Sequence, residues 1–341
     1  MARPLGFGLV GASTIAHEWV IDAIRAVPGS EVVAVFSTDR ARGARYASDH
    51  RIAVAHSTLD ALLSDPRVDA VYVSTTNELH RPQTVEAARA GKHVLCEKPL
   101  ALSVAEAREM IDACEAAGVV LGTNHHLREA ASHRKIRELV RSGAVGEPRF
   151  AKVFHAGLLP AHLQGWRLRD PKTGPGAILD LTVHDADTLR FILSAEPVEV
   201  VSLTQKGGMA SDPIEDGAMT TIRFDNGVLA QLHDAFTVPF ARTGVEVHGS
   251  WGSIYGRDVM AQRPTGEVLL CTARGDEVLP LEPENLYVRT VRAFVRAIRG
   301  EGQPTCTGED GLRSLATALA ALESARTGQR IAVDYGGNSE I

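Results

Sequence analysis

The sequence predicts an α/β protein in two parts: a parallel sheet of strand–helix–strand units, then a mostly antiparallel sheet carrying helices. Three observations lead there. Short apolar runs alternate with helix-period segments over roughly the first 120 residues. A glycine turn, Gly8-Leu-Val-Gly11-Ala-Ser13, follows the first run. From Phe150 onward the apolar period becomes two, and turn residues join the runs.

Leu5–Val10 is the first apolar run, and helical spacing follows over residues 14–27 until Pro28-Gly29. Residues 31–36 are β-branched and read as a strand, followed by a polar helix through Ala47. "VDAVYVS", 68–74, is the third strand. Residues 81–90 read as a helix with Gly91 as its C-cap, 92–96 as a strand, 104–117 as a helix stopped by Gly118, and 119–123 as a strand. A helix over 132–141 ends in Ser142-Gly143. Then "FAKVFHAG", "AMTTIRF", "VLAQLHDAF", "GVEVHG" and "GEVLLCTA" alternate, with Asp225-Asn226-Gly227 as a hairpin turn between two of them. A helix at 183–192 sits among these strands, and helices at 287–298 and 311–327 close the chain over a sheet face. The final "DYGGNSEI" reads as a loose polar tail. The expected parts are 1–123, 124–334 with its last helices able to pack back on the first part, and a tail at 335–341.

The chain has 341 residues, 44% apolar and 23% charged, enough for two domains with sizeable cores. A net charge of −6 argues against a nucleic-acid partner, and no run approaches the ~20 apolar residues of a membrane span. The N-terminus could imitate a signal peptide, but its glycines fall where a nucleotide-binding turn puts them, so a cytoplasmic protein is expected. Cys96, Cys114, Cys271 and Cys306 are far apart, without zinc spacing, and read as packing residues.

The turn Gly11-Ala12-Ser13-Thr14-Ile15-Ala16 matches a dinucleotide fingerprint at Gly11 and Ala16. Ser13 replaces the middle glycine, which lets backbone approach a pyrophosphate; its hydroxyl can hydrogen-bond phosphate instead. The helix N-terminus adds attraction for negative charge. At the end of the second strand an acidic residue would bind a free ribose 2′-hydroxyl. Here Ser37 and Thr38 stand there and Arg42 opens the next helix, which favours a 2′-phosphate and therefore NADP. Asp39 would weaken this were the register off by two. Ser74-Thr75-Thr76-Asn77-Glu78-Leu79-His80 ends the third strand at the sheet's carboxyl edge, where ligands of such sheets bind, and also suits a helix N-cap. Glu97-Lys98-Pro99 ends the next strand at the same edge. Proline stops the strand, and a lysine at its rim can point at a ligand, with Glu97 as partner or cofactor contact.

"EKPLA" after an apolar strand, "STTNELH" one strand earlier and "GPGAILDLTVHDAD" further on resemble the motifs of the Gfo/Idh/MocA oxidoreductases, over essentially the whole chain. The resemblance implies an N-terminal Rossmann domain, doubly wound on a parallel sheet, and a C-terminal α/β domain with an open-faced, mostly antiparallel sheet. It implies NADP contacts at Ala12, Ser13, Thr14, Ile15, Ser37, Thr38, Arg42, Thr75, Thr76, Asn77, Glu78, Leu79, His80, Glu97 and Lys98. Asn124, Trp166, Arg167 and Tyr287 match more weakly marked positions. It further implies NADPH-dependent reduction of a cyclic sugar ketone, by a monomer or a homo-oligomer joined through the C-terminal sheet.

Asp180 and His184 are four apart on a helical stretch, hence on one face. A carboxylate can hold an imidazole in one tautomer and raise its basicity, and histidine suits proton transfer near neutral pH. The plainer alternative is a core histidine with a capping aspartate; the family motif favours catalysis. In the expected reaction Lys98 stabilises the developing alkoxide, His184 delivers the proton and Asp180 orients it. Lys98 and His184 could exchange roles. His125 and His126 are adjacent and diverge, His155 and His162 are candidates to line a substrate cleft, and no catalytic metal is expected. Two rivals remain: a polyol dehydrogenase using NAD, disfavoured by Ser37 and Arg42, and a non-catalytic dinucleotide-binding regulator, disfavoured by Lys98, Asp180 and His184.

Overall fold

The computed structural model describes residues 3–337. Within them the chain forms two compact units: one runs to His125 and includes Tyr287–Leu312, the other is His126–Leu286 with the chain from Arg313 on.

In the first unit β1 (Leu5–Val10), β2 (Ser30–Phe36), β3 (Val54–His56), β4 (Ala70–Val73), β5 (His93–Cys96) and β6 (Leu121–Thr123) form one sheet in the order β3-β2-β1-β4-β5-β6. Every ladder is parallel, and the order reverses between β1 and β4. β1, β4 and β5 read as near-continuous apolar runs because helices cover both sheet faces. The connections carry α1 (Ile21–Ala26), α2 (Arg40–Asp49), α3 (Leu59–Leu63), α4 (His80–Arg89) and α5 (Val104–Ala116). The helix expected over residues 14–27 contains a π-helical stretch, Ala16–Val20, ahead of α1. Neither β3 nor α3 was anticipated: β3 is three residues of mixed exposure and carries no apolar pattern to read.

α6 (Ala131–Arg141), β7 (Pro148–Ala156), α7 (Val183–Leu193), β8 (Pro197–Gln205), β9 (Gly217–Phe224), β10 (Leu229–Ala235), β11 (Gly244–Gly249), β12 (Gly252–Arg257), β13 (Glu267–Thr272) and β14 (Gly275–Leu279) follow in sequence. α8 (Leu286–Ile298), α9 (Gly308–Thr327) and β15 (Ile331–Ala332) end the chain. α8 belongs with the first sheet because Phe294 meets Phe7, ring centroids 6.2 Å apart. Beyond it the chain returns to β6, where Thr123 Oγ1 donates to Thr307 O at 3.0 Å.

The second sheet runs β14-β13-β12-β11-β7-β10-β9-β8-β15. Only β7 and β10 pair in parallel; the other ladders are antiparallel. Burial alternates along β9, so Ala218, Thr220, Ile222 and Phe224 face the core. α6 packs on β12 and β13, and α7 on β7. Val201, Leu203 and Met219 stand exposed on the other face, which makes the sheet open-faced. One expectation is corrected here. Tyr335, read as part of a loose tail, is docked: its hydroxyl donates to Pro197 O at 2.5 Å, and the Arg313 guanidinium lies 5.1 Å from its ring centroid. Residues 338–341 of that tail lie outside the described residues.

Candidate active site

The first turn of the parallel sheet is built by close approach. Gly11 has φ +107°, and a Cβ there would lie 3.1 Å from Thr75 Cγ2, so only glycine fits without strain. Ser13 opens the following helix. Its Oγ accepts from Ala16 N at 3.2 Å and shares a 2.7 Å hydrogen bond with Ser74 Oγ. The hydroxyl read as a phosphate ligand thus ties the turn to the end of β4. α2 clamps the same turn: Arg42 Nη2 donates to Ala12 O at 2.7 Å and Tyr46 Oη to Ser13 O at 2.9 Å. Tyr46 was missed, although its spacing of four from Arg42 puts both on one helix face.

β2 ends at Phe36, so Ser37 occupies its carboxyl end, buried, with Gly43 packed against its Cβ. Thr38 is exposed. Asp39 caps α2: its Oδ1 accepts from Arg42 N at 2.9 Å, which lowers the carboxyl below its ordinary range. Asp39 therefore begins the helix rather than ending the strand. The positive-φ glycine, the capped helix start and the Arg42 cation fit a dinucleotide at this turn.

At the ends of β4 and β5, Thr75 Oγ1 donates to Gln83 Oε1 and Thr76 Oγ1 to Glu78 Oε1, both at 2.6 Å. Asn77 is buried beside them, and Leu79 is exposed. His80 is buried; its Nδ1 lies 2.9 Å from Pro99 O and its Nε2 3.3 Å from Thr75 O. Burial outweighs both carbonyls and pushes its pKa down to about 4, so the ring is neutral and fastens α4 to the Glu97-Lys98-Pro99 turn. The Lys98–Pro99 bond is cis. Glu97 Oε1 accepts from Tyr72 Oη and, at 2.5 Å, from Asn124 Nδ2. Burial raises the pKa of Glu97. These bonds fix the carboxylate while Lys98 beside it is half-buried. Tyr287 stacks on Trp19, ring centroids 5.6 Å apart.

In the second unit a π-helical turn, Ile178–Thr182, carries Asp180 and leads into α7, where His184 is buried. Asp180 Oδ2 lies 3.4 Å from Arg167 Nε, and the Arg167 guanidinium lies 4.6 Å from the Trp166 ring centroid. Trp166, Arg167 and Asp180 therefore meet. Glu215, unforeseen, caps the turn: its Oε1 accepts from Ile178 N at 3.1 Å. Gly176 has φ +97°, and a Cβ on it would fall against that carboxylate. The His126 ring stands edge-on to His184, centroids 5.1 Å apart, and the His155 ring lies at 6.3 Å. His162 sits on an exposed 3₁₀ turn, Ala161–Leu163. Arg128 holds Asp187 of α7 through Nε and Nη2 at 2.8 and 2.7 Å, and Ser314 Oγ donates to Asp187 Oδ1 at 3.0 Å. This buried fork anchors α7 at Asp187, three residues after His184. His155, Asp185 and Asp234 also converge, a cluster no local spacing announced.

Two family models match the chain: an oxidoreductase family with an NAD-binding Rossmann fold over residues 5–125, and a GFO/IDH/MocA C-terminal domain over residues 133–255. The chain is 57% identical over 330 residues to a 1,5-anhydro-D-fructose reductase of Ensifer adhaerens, covering 97% of this chain and 99% of that protein. It is 31% identical to a myo-inositol 2-dehydrogenase of Thermotoga maritima, over 77% of this chain and 79% of the relative. Its fold is similar to the crystal structure of an aldose-aldose oxidoreductase from Caulobacter crescentus complexed with glycerol: TM-score 0.88, 27% identity, 97% of this chain and 100% of that one.

Proposed function

The chain belongs to the Gfo/Idh/MocA oxidoreductase family, and from that premise we propose that it reduces 1,5-anhydro-D-fructose, a cyclic sugar ketone, to 1,5-anhydro-D-mannitol with NADPH. The observation that carries this reading is the 57% identity to a reductase of that ketone, spread over nearly the full length of both chains. The preference for NADPH is supported by the end of β2, where a hydroxyl and a cation stand and the nearby carboxylate is engaged as a helix cap.

When bound, the reduced nicotinamide supplies a hydride to the carbonyl carbon. Arg42 offers its remaining N–H groups to a 2′-phosphate, one being given to Ala12 O. Lys98 donates a hydrogen bond to the carbonyl oxygen and stabilises the negative charge that grows there. His184 gives a ring N–H proton to that oxygen and becomes neutral. Asp180 orients His184, and Arg167 lies beside Asp180.

The test follows NADPH consumption by the purified protein with 1,5-anhydro-D-fructose, with NADH alongside. Turnover with NADPH and little with NADH supports substrate and cofactor together. Absence of turnover with tight NADPH binding overturns the substrate assignment. The likeness to an inositol dehydrogenase favours a second reading, oxidation of a polyol, which a panel of polyols with both oxidised cofactors measures directly.

A further inference from the structure

β7 and β10 run side by side in parallel, and their register sets Asp234 next to His155. α7 crosses β7 and brings Asp185 to the same place, so three chemistry-bearing side chains from three elements meet in the interior. Asp185 and Asp234 are almost entirely buried. Each carboxyl has one oxygen served by a donor. His155 Nδ1 lies 2.8 Å from Asp185 Oδ1, and Thr182 Oγ1 donates to Asp234 Oδ2 at 2.5 Å. The other two oxygens, Asp185 Oδ2 and Asp234 Oδ1, have no donor from the chain. Two ionised carboxylates stripped of water and set together would repel strongly. One proton between these oxygens completes the set: four oxygens, two protein donors, and a single acidic hydrogen serving the remaining pair.

We propose that Asp185 and Asp234 share one proton, and that this acid pair, acting through His155, is a positioning unit for His184. The shared proton stands independently of the activity; the part concerning His184 rests on the function proposed above. Burial holds both carboxyls above their ordinary range, and the charge of Asp185 raises Asp234 further. With one proton the pair carries a single negative charge, which fixes the His155 proton on Nδ1. The His155 ring lies against His184, so its tautomer decides what the neighbouring imidazole meets. The titratable groups around this unit are His126 from the 3₁₀ turn, His133 on α6, Asp180 with Arg167, and the Asp187–Arg128–Arg190 group. His133 faces it from α6, Asp187 lies on α7 itself, and both stay the same in each variant below.

Two spectroscopic readouts on the intact protein test this, neither needing turnover. Infrared difference spectra between wild type and Asp234→Asn at pH 7 are expected to show the carbonyl stretch of a protonated carboxylic acid, shifted in D2O, in the wild type alone. Its absence overturns the shared proton, as does one equivalent of a divalent metal in the purified protein. Histidine-selective NMR, assigned with His155→Gln and His184→Gln, reads the second half. In Asp234→Asn the amide N–H replaces the shared proton, and the His155 and His184 titrations are expected to stay near wild type. In Asp234→Ala that donor is gone, and the His184 midpoint is expected to move by roughly half a pH unit or more. Identical titrations in both variants overturn the positioning role. Should Asp234→Ala not fold, Asp185→Asn and Asp185→Ala ask the same question from the other partner.

Discussion

Arg42 and His184 are the two side chains on which the reading of cofactor and chemistry turns. Arg42 already gives one N–H to Ala12 O, so it is held at the first turn before any ligand arrives. Arg42→Ala is expected to raise the KM for NADPH roughly tenfold or more and to leave that for NADH nearly unchanged, the loss of one charge-assisted contact. Steady-state kinetics with both cofactors decide it, and equal changes for the two would reduce Arg42 to a structural clamp. Removal of Tyr46 Oη, by Tyr46→Phe, offers the contrast of a clamp without charge. For His184→Ala, kcat is expected to fall roughly 10²- to 10⁴-fold with NADPH affinity kept, because a proton donor acts only in the chemical step. Parallel losses in kcat and in NADPH binding would remove His184 from catalysis.

The π-helical turn carries Asp180 and leads into the helix of His184, and its stability is set from outside. Glu215, on the chain leading into β9, accepts the Ile178 N–H, while Gly176 at φ +97° leaves room for that carboxylate. Gly176→Ala combines a strained backbone with a clash against Glu215. It is expected to destabilise the protein by about 1–3 kcal/mol, read as a fall in the urea midpoint without a change of slope. Glu215→Gln keeps an acceptor oxygen for Ile178 and is expected to lose less. An unchanged midpoint in Gly176→Ala would mean that the turn relaxes without cost. The elements legible in sequence were those with a strong local pattern. β1, β2, β4 and β5 are buried runs, and the hairpin before β10 carries Asp225-Asn226-Gly227, with Gly227 at φ +85°. β3 and α3 escaped because three half-exposed residues and a five-residue helix fall below any periodicity. Glu215 escaped because nothing near it in sequence names the turn it caps.

At the scale of the whole molecule, two buried histidines, one in each unit, make part of the stability acid-labile. Burial depresses His80 and His133 to about 4 in the folded protein. Unfolded imidazoles bind protons below about 6.5. Between those values the unfolded imidazoles bind more protons, so the contribution of these two histidines is full above about pH 6.5 and is lost as pH falls toward 4. The loss is on the order of 3 kcal/mol for each imidazole. Urea unfolding at a series of pH values between 7 and 4 measures it. His80→Asn and His133→Asn are each expected to flatten the acid limb, and a limb as steep in both variants as in wild type would assign the acid loss elsewhere. Over an overlapping range Asp185 and Asp234 work in the opposite sense: their raised folded pKa values make stability fall as pH rises above the ordinary carboxylate range, for Asp185 until about pH 8.

The sequence by itself determined the alternating parallel half, the turn at Gly11, the change to an open antiparallel half and the family to which the chain belongs. Each of these lies in local periodicity, turn chemistry or contiguous motifs, which act over a few residues. Only the tertiary structure decided that Asp39 caps a helix rather than ending β2, that Tyr335 is docked, and that residues 287–312 return to the first sheet. It alone brought Glu215 to Ile178 and set Asp185 beside Asp234 and His155. Those contacts depend on strand register and on which face is buried, and a shift of one residue in β10 would turn Asp234 to the opposite face.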